Sequence, residues 1–120
     1  MKSSKTYENR GELQWQISSG EITWAHDSCK LFGFAPSYKT QSLDDFLSHV
    51  HDDDREITRR AVMITLEHNI SNIFNFRFIR PDTGKELFVH STWQAECNDK
   101  GEVLKIKGTL LDVTKKRIAA

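Results

Sequence analysis

The run Ser48-His49-Val50-His51-Asp52-Asp53-Asp54 has the residue types to hold a metal. Its His-x-His-x-Asp spacing brings two imidazoles and carboxylates together, and such groups ligate zinc. The last ligand of that pattern should be His, and here it is Asp54; no downstream set of His or Asp completes the shell. His49 and His51 also straddle an expected helix end, where an imidazole serves local hydrogen bonds. The expectation is therefore that no metal binds. Cys29 and Cys97 form no Cys-x-x-Cys pair, and a domain of this size does not need a bridge. Reduced thiols are expected. No Ser lies in a Gly-x-Ser-x-Gly turn, and there is no Gly-rich phosphate loop. With no nucleophile beside a base, no catalytic residue is expected and the chain reads as a non-enzyme.

Composition narrows the partners. The 120 residues suit one domain with one core. Seventeen basic and seventeen acidic side chains cancel, so the general attraction to phosphate that nucleic-acid binders use is missing. Asp44, Asp45, Asp52, Asp53, Asp54 and Glu56 make an acidic stretch that reads as a solvated face. No apolar run approaches the ~20 residues that span a bilayer, and residues 1–12 lack the apolar centre of a signal peptide. Neither nucleic acid nor direct membrane contact is expected.

The pattern along the chain supplies the elements. Leu13, Trp15 and Ile17 alternate with polar neighbours, Ser18-Ser19-Gly20 turns the chain, and Ile22-Thr23-Trp24 starts the return, which predicts a hairpin. Asp27 is a candidate cap for a brief helix ending near Gly33, with Pro36 preventing its continuation. Ser42 and Asp45 resemble a capping box ahead of Leu43, Phe46, Leu47 and Val50 at helical spacing. A longer helix follows over about 53–68, with aspartates at its positive end. Ile57, Ala61 and Ile64 make one apolar face, and His68 falls on it at the far end. Phe74, Phe76 and Phe78 then alternate with their neighbours. Leu87, Val89, Ser91, Trp93 and Ala95 form one face of a long strand, and 103–111 forms the last. Two strands, short helices, a longer helix and a three-stranded meander predict an α+β domain, an antiparallel sheet with helices on one face.

That arrangement encloses an interior with two possible uses. Phe46, Phe74, Phe76, Phe78, Phe88 and Trp93 either fill it as a plain core or line a small-ligand pocket between the long helix and the sheet. The candidate lining is Phe46, Ile57, Ala61 and Ile64 from the helices and Phe76, Phe78, Val89, Ser91 and Trp93 from the sheet. Ser91 would be the polar group on an apolar strand face.

Several short landmarks run in a familiar order. The chain closes on Gly108-Thr109-Leu110-Leu111-Asp112-Val113-Thr114 and then turns basic at Lys115-Lys116-Arg117. Leu31-Phe32-Gly33-Phe34 follows the first short helix. Val50-His51-Asp52-Asp53-Asp54-Arg55 is similar to an Ile-His-Pro-x-Asp-Arg signature, with Asp52 for Pro. Asn75-Phe76-Arg77 and Asp82-Thr83-Gly84-Lys85 are similar to Glu-Tyr-Arg and Asp-Gly landmarks, with Asn75 for Glu and Thr83 inserted. Together, over about 13–117, they resemble a PAS domain with its PAC extension.

The resemblance implies a five-stranded antiparallel sheet with helices packed on one face. It implies a polar lead-in or N-terminal helix over 1–12, the PAS/PAC domain over 13–114, and the start of a linker helix to an absent output domain over 115–120. It implies a sensory or signal-coupling module of a cytoplasmic bacterial protein, such as a histidine kinase or diguanylate cyclase, that binds a small ligand or none. A parallel homodimer is expected through the lead-in, Trp15 and apolar groups on the outer face of the sheet. Asp112 and Thr114 would cap the departing helix and carry the signal. Haem members place their axial His nearer the start or middle of the long helix, where this chain has Thr58, Arg59 and Arg60; His68, at the end, is favoured there by the helix dipole. The flavin photosensors use a cysteine that 43–50 lacks. No cofactor is expected. A small stand-alone α+β ligand carrier or isomerase-like enzyme is the alternative, which a buried Asp or Tyr in the cavity would favour.

Overall fold

Two strands open the fold where the sequence alternates. In the computed structural model, which describes residues 9–35 and 40–115, β1 spans Arg10–Gln16 and β2 spans Ile22–Trp24. They pair antiparallel, with Leu13 opposite Trp24 and Trp15 opposite Ile22. The lead-in expected over 1–12 ends earlier than its composition suggests. Arg10, Gly11 and Glu12 already belong to β1 and face Leu111, Leu110 and Thr109. Gly11 holds an inward position against the Phe32 ring, and without a side chain it leaves no mark in the hydrophobic alternation.

Helix α1, His26–Leu31, is capped by Ala25 with no side-chain bond. Asp27 is thus a first-turn residue and not the cap that its type suggests. Its neighbour Ser28 instead accepts a hydrogen bond from the Glu12 amide at 2.8 Å, tying α1 to β1. Gly33 ends the helix at φ 87°, a conformation that costs glycine little. Pro36 lies outside the described residues. A two-residue β3, Thr40–Gln41, then pairs with β2.

Ser42 and Asp45 form the expected capping box on α2, Leu43–Ser48. Helix α3, Asp52–His68, has three aspartates in its first turn and His51 as its cap. Asp52 occupies the first helical position, where the resemblance places Pro, a residue suited to that place. The chain then forms β4 (Ser71–Ile79), β5 (Glu86–Cys97) and β6 (Val103–Asp112). The sheet order is β3-β2-β1-β6-β5-β4, so the first and last long strands are neighbours and every pairing is antiparallel.

One face of this sheet is buried by the helices. Leu13, Trp15, Val89, Trp93, Ile106 and Leu110 all point into it. The expectation that Trp15 sits uncovered is therefore wrong: it is part of the core. On the outer face, the strand centres carry Glu12, Gln14, Thr92, Gln94, Lys107 and Thr109, a polar surface, and apolar groups gather only toward one end, at Phe88, Leu111 and Val113.

Candidate functional site

The space between α3 and the sheet is held by a cluster of rings. Phe46 lies 5.8 Å from Trp93 and 5.9 Å from Phe76 between centroids, and Phe74 stacks on Trp93 at 5.6 Å. These are the separations at which aromatic pairs attract. Phe46, Phe76, Phe78, Val89, Ser91 and Trp93 are all buried, so the structure brings six of the nine candidate lining residues together. Phe88, by contrast, alternates out of this cluster onto the outer face.

Helix α3 meets the interior with a different face from the expected one. Thr58, Val62 and Thr65 are buried, whereas Ile57 and Ile64 are 68% and 42% exposed and Ala61 sits at the margin. His68 is also exposed. The reason is that each buried threonine satisfies its hydroxyl within the helix. Thr58 donates to the Asp54 carbonyl at 2.7 Å and Thr65 to the Ala61 carbonyl at 3.1 Å. With that group bonded to the preceding turn, the remaining methyl packs as an apolar one. The spacing of 58, 62 and 65 was a helical stripe in plain view, but hydropathy alone scores threonine as polar.

Ser91 has less to offer a ligand than its position suggests. Its hydroxyl donates to the Phe74 carbonyl at 2.6 Å and accepts from Trp93 Nε1 at 2.8 Å. Toward the other edge of the sheet, Trp24 Nε1 donates to Gln41 Oε1. The buried Trp15 Nε1 and Gln41 Nε2 have no hydrogen-bond partner among the described residues.

The two histidines of the His-x-His-x-Asp run serve local structure. His51 Nδ1 accepts from the Asp53 amide at 3.1 Å and so caps α3. His49 packs against Phe34 at 5.2 Å, and burial pushes its pKa down, partly offset by Asp45. Among the described residues, no three His, Cys, Asp or Glu side chains cluster closely enough to hold an ion.

Asp54 has a distinct task, joining the start of α3 to β4 through Arg77. The hydrogen bond from Arg77 is the main cause that holds its carboxyl below the usual carboxylate range. A second arginine fixes α1 from the far end of β4: Arg80 Nη1 donates to the Leu31 carbonyl at 2.9 Å while its fork holds Asp82.

The end of β6 forms the most connected polar junction. Asp112 Oδ1 accepts from both the amide and the hydroxyl of Thr114. The Thr114 oxygen in turn accepts from the Phe88 amide at 2.9 Å, and the Val113 amide donates to the Phe88 carbonyl at 2.8 Å. From the other side, Asn9 accepts from the Asp112 amide at 2.8 Å and donates to its carbonyl at 3.0 Å. Asp112 thus closes the turn into the segment beginning at Thr114, and the Thr114 hydroxyl ties that exit to β5. Beside this junction, a groove of about 650 Å³ opens on the outer face, lined by Asn75, Arg77, Phe88, His90, Leu111 and Val113 among others. A second cavity, of about 440 Å³, lies across the polar strand centres of the same face.

Comparison with known proteins agrees with this architecture. A family model described as the PAS fold matches residues 8–110. Among solved structures, the chain is similar to a sensory box histidine kinase/response regulator from Burkholderia thailandensis. That match has a TM-score of 0.76 at 22% identity, covering 93% of this chain and 82% of that one. It is also similar to the N-terminal domain of a diguanylate cyclase with PAS/PAC sensor from Marinobacter aquaeolei, with a TM-score of 0.80 at 15% identity over 90% and 98% of the two chains. A PAS domain from Colwellia psychrerythraea matches with a TM-score of 0.72 at 17% identity over 93% and 94%. No curated protein matches the sequence. With a ring-filled interior under one long helix, a strand order that sets the first long strand beside the last, and a family match over most of its length, this chain belongs to the PAS fold family.

Proposed function

We propose that this domain is a signal-coupling module of a larger signalling protein and performs no chemistry of its own. The observation that carries the reading is the junction at the end of β6. Asp112, Thr114 and Phe88 bind the exit of the domain to its central strands. A change in the sheet is thereby transmitted to whatever follows Thr114, by shifting the population of two exit geometries. Relatives in fold that come from a histidine kinase and a diguanylate cyclase support an output domain of that type. The balanced charge supports a protein partner over nucleic acid, and the described residues contain no helix long and apolar enough to cross a membrane. We place the domain in the cytoplasm.

The filled interior supports coupling without a resident cofactor. A small ligand would have to displace ring contacts around Phe46, Phe76 and Trp93, beneath Val62 and Thr65. His68 is exposed at the end of α3, which is no position for an axial ligand to a group held inside. The domain self-associates as a homodimer, which lets two exits act together.

The test is Asp112→Ala in the longer protein, reading domain melting temperature and output together. Loss of one cap costs about 1 kcal/mol, too little to unfold a domain, so output should lose its regulation while the domain remains folded. Output regulated as in the unmodified protein would show that the exit junction does not carry the signal. The absorbance spectrum of the purified domain tests the cofactor reading: a Soret band or a flavin spectrum retained through purification would refute it.

A further inference from the structure

Four large apolar side chains stand exposed around one edge of the sheet. Ile57 is 68% exposed, Ile64 42%, Ile70 43% and Ile73 64%. Ile57 and Ile64 lie on the flank of α3, Ile70 in the connection, and Ile73 on β4, which is an edge strand. Exposed apolar groups gathered in this way mark an interaction surface.

The backbone of β4 shows how that surface is organised. At its far end the outward groups are already taken. The Arg77 amide donates to Asp54 at 2.8 Å, its carbonyl accepts from the His51 amide at 2.9 Å, and the Ile79 amide donates to the His49 carbonyl at 2.7 Å. By the two-residue period of a strand, Ser71, Ile73 and Asn75 point their amides and carbonyls the same way, and no strand pairs with them there among the described residues. This open edge carries no lysine or proline, the residues that usually protect an edge from pairing.

We infer that this open edge, with the isoleucine flank of α3, is the surface on which a second copy of the chain docks. The occupant follows from symmetry. In an antiparallel pairing centred on Ile73, Ile73 meets its own counterpart and Ser71 faces Asn75 of the second copy. On the helix, Ile57 and Ile64 flank Ala61, so an antiparallel α3 pair sets Ile57 against the other copy's Ile64. The same two-fold axis serves both sets, because Asn72, next to Ile73, donates to the Ala61 carbonyl at 2.9 Å. A surface that satisfies one two-fold axis twice is self-complementary, as an isologous dimer requires. Charge does not oppose the pairing, because copies of zero net charge do not repel. Spacing agrees as well. Strands join at about 4.8 Å, and α3 packs over β5 as well as β4, which leaves the two helices at roughly the 8–10 Å that helix pairs need.

This inference rests on the homodimer proposed above and names its surface. The experiment is sedimentation velocity of the 120-residue chain over a concentration series, with three variants whose fold is checked by circular dichroism. Ile73→Lys places a charge on the edge, Ile57→Glu with Ile64→Glu charges the helix flank, and Thr23→Arg alters the outer face on β2, across the sheet from both. The chain should form a dimer, the two edge variants should weaken it at least tenfold, and Thr23→Arg should leave it unchanged. A dimer broken by Thr23→Arg and indifferent to both edge variants would overturn the surface but not the dimer. A chain that stays monomeric at the highest concentration would overturn both.

Discussion

Asp54 grips Arg77 three times: its carboxylate takes Nε at 2.9 Å, Nη2 at 2.7 Å and the Arg77 backbone amide at 2.8 Å. A bidentate fork of this kind fixes direction as well as distance. It sets the start of α3 against β4, and through Thr58, bonded to the Asp54 carbonyl, it also sets which face of the helix turns inward.

This pair makes stability depend on pH in a definite direction. The folded carboxyl lies below its unfolded value because Arg77 binds the charged form. The contribution is therefore complete above the unfolded value of about 3.9 and is lost as pH falls through the lower folded value. Asp54→Asn should lower the melting temperature at pH 7, and the gap from the unmodified chain should close under strongly acidic conditions. A gap that stays constant with pH would mean the carboxylate's charge contributes nothing.

Ser91 is a structural hydroxyl between two partners. Ser91→Ala removes the acceptor of Trp93 Nε1 and the donor to the Phe74 carbonyl. Leaving a buried donor unmet costs about 1–3 kcal/mol. Urea unfolding should show a loss in that range with an unchanged slope.

Gly11 is needed for lack of a side chain. A Cβ at this position would collide with the Phe32 ring and approach Ser28 Cβ to 3.3 Å. Gly11→Ala should destabilise by roughly 1–3 kcal/mol, the usual cost of overpacking. A neutral result would mean that α1 moves freely away from β1.

Thr114 separates the two functions of the exit junction. Thr114→Val keeps the shape but takes the acceptor from the Phe88 amide, whereas Thr114→Ser keeps it. The valine variant should show faster hydrogen exchange at Phe88 and lose regulated output in the longer protein, and the serine variant should restore both. A valine variant that behaves as the unmodified chain, beside a defective serine variant, would place the role of Thr114 in its methyl group.

The elements were legible in the sequence because each has a local cause. The Ser42–Asp45 box, the alternation from Phe74 to Phe78, the inward set Leu87, Val89, Ser91 and Trp93, and the turn at Gly33 follow from side-chain type and period. That the Asp112 side chain would accept an amide just past the strand was legible for the same reason. What the fold alone decided are the relations between elements. The rotation of α3 depends on where Asp54 finds Arg77 and on two threonines whose hydroxyls turn back into the helix, so Ile57 and Ile64 were displaced from the interior to the flank. Thr114 reaches an amide 26 positions away, and Gly11 belongs to β1 only because β6 lies beside it. Period and propensity act over a few residues, and these contacts exist only once distant strands are adjacent.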